Sequence, residues 1–108
     1  MKILINAAGE TIIDEVNYPD KVGLLAGSFI QLDLADDSSP ATAGTLTFEF
    51  KTPGGLSYSV PDNGNTINCS APVPLVIGPN SVGSIKCTAS GVAGVVGDKV
   101  SLIVQAFS

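Results

Sequence analysis

The stretch TLTFEFKTPGGLSYSV, residues 45–60, decides the fold. Leu46, Phe48 and Phe50 alternate with Thr45, Thr47, Glu49 and Lys51, and Leu56, Tyr58 and Val60 alternate with Ser57 and Ser59. Successive side chains of a strand point to opposite faces, so a period of two describes strands with one apolar side. Between the two runs, Thr52-Pro53-Gly54-Gly55 reads as a tight turn, because Pro pre-sets φ and Gly accepts positive φ. The expectation is a β-hairpin that turns Leu46, Phe48, Phe50, Leu56 and Tyr58 into a core.

The same period extends outward from this hairpin. Upstream, residues 28–35 place Ile30, Leu32 and Leu34 opposite Gln31 and Asp33. Downstream, Ile67 and Cys69 share a phase, and Ile85, Cys87 and Ala89 oppose Ser84, Lys86 and Thr88. Pro72 and Pro74 confine residues 75–77 to a short edge segment. The last run, residues 99–107, sets Val100, Leu102, Val104 and Ala106 against Ser101, Ile103, Gln105 and Phe107. Turn formers fill 36–44, 61–65 and 78–80, and SGVAGVVG at 90–97 reads as a Gly-laden connection. Residues 2–7 and 11–16 read as an opening hairpin or extended arm. No segment of a dozen residues has helical periodicity.

Six to eight short strands with frequent turn signals indicate an all-β fold, a small antiparallel β-sandwich of immunoglobulin-like or jelly-roll-like form. Residues 28–108 are expected to form the sandwich domain. Residues 1–27 are expected to form an N-terminal hairpin or β arm that packs outside the core.

Composition narrows function by exclusion. The 108 residues are 44% hydrophobic and 14% charged, with no Trp or His, so the chain has far more apolar than charged residues and is not a disordered one. Without His or a CxxC pair, the usual zinc sites and imidazole acid–base chemistry are absent. The net charge of -5, with five scattered lysines and no arginine, disfavours nucleic acid and an anionic membrane as partners. No apolar run approaches the roughly 18 residues of a transmembrane span. The start, MKILINAAGE, is too short in its apolar part for a signal peptide, so synthesis in the cytoplasm is the expectation.

Few residues are candidates for chemistry. Cys69 and Cys87 fall in the apolar phase of their strands and are read as buried free thiols; the alternative is a disulfide between adjacent or facing strands. Asp33, Asp36, Asp37, Asp62 and Asp98 stand at strand ends, where they serve turns; the alternative is a calcium site. A glycosidase-like carboxylate pair lacks an aromatic platform for sugar, and an enzyme is not expected. Asn68-Cys69-Ser70 matches a glycosylation triplet, but inside an expected strand. Neither a metal nor a cofactor is called for. Leu24, Leu25, Ile103 and Phe107 are apolar residues outside the core phase, and they are the candidate interface.

The segments AGTLTFEFKTPGGLSYSV, VGSIKCTASGV and GDKVSLIVQAF, spread over residues 43–108, resemble small β-sandwich proteins of bacteriophage particles, the head decoration and fibre or spike subunits. The resemblance implies a non-enzymatic virion structural protein, made in the host cytoplasm, that self-associates as a trimer and joins a capsid. It transfers no individual binding residue. The alternatives are a carbohydrate-binding or adhesion module working through its strand-end loops, and a bacterial surface or pilus subunit.

Overall fold

The computed structural model describes residues 2–14, 16–18, 29–37, 40–61, 64–77 and 82–107, with Phe107 described by its backbone. Among them are eight strands: β1 (Lys2–Asn6), β2 (Gly9–Ile13), β3 (Phe29–Leu34), β4 (Ala43–Lys51), β5 (Thr66–Asn68), β6 (Leu75–Ile77), β7 (Ser84–Ala93) and β8 (Lys99–Phe107). They form two four-stranded antiparallel sheets, ordered β1-β8-β3-β6 and β2-β7-β4-β5. The protein is an all-β sandwich.

The pairing has a simple logic. β1 pairs with β8, β2 with β7, β3 with β6 and β4 with β5, as in one long hairpin bent at β4–β5. Rolling that ribbon brings β3 against β8 and β4 against β7, which completes both sheets. This is the jelly-roll form of the sandwich. Every connection except β4–β5 therefore passes from one sheet to the other.

The core lies between the sheets and is built by the expected phase. Ile30, Leu32, Leu46, Phe48, Phe50, Ile67, Ile85, Val100, Leu102 and Val104 are buried in it. β4 departs from regularity at its start, where the register against β7 shifts between Ala43 and Thr45. Gly44 sits in that bulge with φ +95°, and a Cβ there would stand 2.5 Å from the Val92 backbone nitrogen. Only glycine fits so close a backbone approach.

Four expectations are corrected. Residues 2–13 are not an arm outside the core, because Ile3, Ile5 and Ile13 are buried within it. Nor are β1 and β2 a hairpin, since they belong to opposite sheets. The hairpin expected at 45–60 survives as one bridge, Phe50 to Ser59, while the strand beside β4 is β5. That bridge sets Tyr58 and Leu56 in the outward phase, and a register offset of one residue moves a whole set of side chains to the other face. Leu56 is fully exposed and Tyr58 half-buried, so neither joins the core. Finally, β7 runs on to Ala93, through half of the expected connection at 90–97.

Candidate functional site

The roll gathers the connections at two ends. Hydrogen bonds from Ala7 N–H to the Asp98 carbonyl and from Ala35 N–H to the Ser101 carbonyl tie the first end together. It holds the β1–β2, β3–β4, β5–β6 and β7–β8 connections, hence Asp36 and Asp98, both exposed. The β4–β5 connection opens at the opposite end, and Asp62 lies outside the described residues. Of the described strand-end carboxylates, Asp36 and Asp98 thus stand at that first end and Asp33 lies within β3. Among the described residues, no three His, Cys, Asp or Glu side chains lie close enough to share a metal ion.

Cys69 and Cys87 are both free and buried. A bridge between them needs adjacent or facing strands, but β4 stands between β5 and β7. Cys87 is opposite Phe48 across the β4–β7 ladder, whereas the Cys69 N–H donates to the Gly44 carbonyl at the far end of β4. Burial, with a smaller effect from Cys69, pushes the Cys87 thiol up to about 12, and burial also raises Cys69. Neither is a ready nucleophile.

The outer face of the β2-β7-β4-β5 sheet is polar. Lys86 Nζ reaches Glu49 Oε2 at 3.1 Å, and that hydrogen bond raises the Lys86 pKa. Lys51 and Lys86 lie 5.0 and 4.8 Å from the Tyr58 ring centroid, while the Tyr58 hydroxyl is 2.6 Å from Ser84 Oγ. Tyr58 is thereby committed to its own sheet. The glycosylation triplet starts at the end of β5, where Asn68 Oδ1 accepts from Ser70 N–H and Oγ–H at 3.1 and 2.8 Å.

The edges of the sheets are guarded. β1 and β2, each an edge, meet along one side of the sandwich, where side chains occupy four of their backbone groups. Tyr18 donates to the Leu4 carbonyl, Asn6 Nδ2 to the Glu10 carbonyl and Asn17 Nδ2 to the Ile12 carbonyl, and Thr11 Oγ1 accepts from Asn6 N–H. β5 and β6, the other two edges, are three residues each. Occupied or very short edges resist unplanned strand addition. β8 is no edge at all, since β1 and β3 flank it.

That leaves the outer face of the β1-β8-β3-β6 sheet. Ile103 occupies its centre, half-buried, with Lys2 opposite it on β1 and Asp33 opposite it on β3. Leu4 on β1 and Val76 on β6 are exposed by 54% and 44%, which makes this face apolar at both margins. Ile103 was legible as an outward apolar residue. Its companions Lys2, Leu4, Asp33 and Val76 were not, because the outward phase of each strand says nothing of which strands adjoin. Of the other interface candidates, Leu24, Leu25 and the Phe107 side chain lie outside what the structure describes. No family model matches the chain, and neither does any curated protein or solved structure.

Proposed function

We propose that this protein is a non-enzymatic structural subunit of a virus particle, one that decorates or stabilises a capsid or forms part of a spike or fibre. The observation that carries the reading is the rolled eight-stranded sandwich, an architecture used by viral capsid domains. Low charge, and an outer face that shows Leu4, Ile103 and Val76 among its polar residues, suit a subunit that works by contact with its own kind and with a larger body.

Lectins share this architecture, so a carbohydrate-binding module is the second reading. It needs aromatic side chains free to stack on sugar. Phe48 and Phe50 are buried, however, and Tyr58 stands against Lys51 and Lys86.

Mass spectrometry of purified particles from cells that make the protein tests the proposal. The chain should appear in fixed ratio to the main capsid protein and remain after density-gradient purification. Its absence from intact particles removes the virion role.

A further inference from the structure

We draw no further inference here: the strongest candidate, the outer face of the β1-β8-β3-β6 sheet with Ile103 at its centre and Leu4 and Val76 at its margins, carries nothing, because no observation in the structure shows what covers it.

Discussion

The Tyr18 hydroxyl donates a 2.7 Å hydrogen bond to the carbonyl oxygen of Leu4, fourteen residues earlier in the chain. Leu4 lies on an edge strand, and its carbonyl would otherwise face a neighbouring chain. The bond thus joins the segment after β2 to the edge of the opposite sheet and closes an acceptor at once.

Replacing Tyr18 with Phe keeps the ring and deletes that bond. Stability should fall by about 1 kcal/mol, the ordinary net worth of one hydrogen bond. Urea unfolding measures the loss. Light scattering of the folded variant should rise on storage, because an acceptor on an edge strand has been uncovered.

Phe48 and Leu56 are both apolar residues of the same sequence stretch, yet Phe48 is wholly buried and Leu56 wholly exposed. Phe48→Ala should cost about 3–5 kcal/mol. Leu56→Ala should stay within about 0.5 kcal/mol of the parent. Equal losses from the two substitutions would contradict the placement of residues 52–60.

Gly44→Ala places a methyl group 2.5 Å from the Val92 nitrogen and 2.6 Å from the Gly91 carbonyl oxygen, at a φ of +95°. Those contacts are backbone, so no side-chain rotation relieves them. A loss of roughly 1–3 kcal/mol is expected from strain at such a position, and more if the bulge must reorganise. Gly54→Ala has the same sign of φ, with nothing within 4 Å of the added Cβ. It should cost clearly less, which separates close approach from backbone preference in one thermal-melt comparison.

Cys87 confers a pH dependence on stability. Its thiol ionises near pH 9 in the unfolded chain, but burial moves that to about 12 in the fold. Below pH 9 both states hold the proton, and the folded state keeps its full stability. Between pH 9 and 12 the unfolded state releases the proton first, so stability falls as pH rises. The urea midpoint of the parent chain should decline across that window more steeply than that of Cys87→Ala. Parallel declines would show that Cys87 does not contribute.

Much of the strand content was legible because burial on one side leaves a period of two in the chain. Phe29–Leu34 and Lys99–Phe107 fall where alternation put them, and their inward Ile30, Leu32, Val100, Leu102 and Val104 are buried, with Leu34 and Ala106 half-buried against the core. Residues 56–60 alternate equally well and yet form no strand. Alternation shows that a segment suits an extended conformation, but not whether a neighbour stands beside it. β5 occupies the place next to β4 that the expected hairpin would have filled.

The candidate contact face was legible only in fragments. Ile103 stood out as apolar in an outward phase, whereas Lys2 and Asp33 were ordinary charged residues in distant segments. Their alignment depends on β8 lying between β1 and β3, a pairing that joins the two termini of the chain. No local pattern encodes such a pairing, because its reward comes only after the intervening loop has closed.

By itself, then, the sequence determined the all-β class, the inward phase of most strands and the shortage of charge, since side-chain alternation and composition are local properties. Tertiary structure alone decided that the opening strands belong to the core, that Cys69 and Cys87 are separated by β4, and that Lys2, Ile103 and Asp33 share a row. These are consequences of rolling one ribbon onto itself. The free energy of that step is spread over contacts between segments far apart in the chain, and no single segment carries its record.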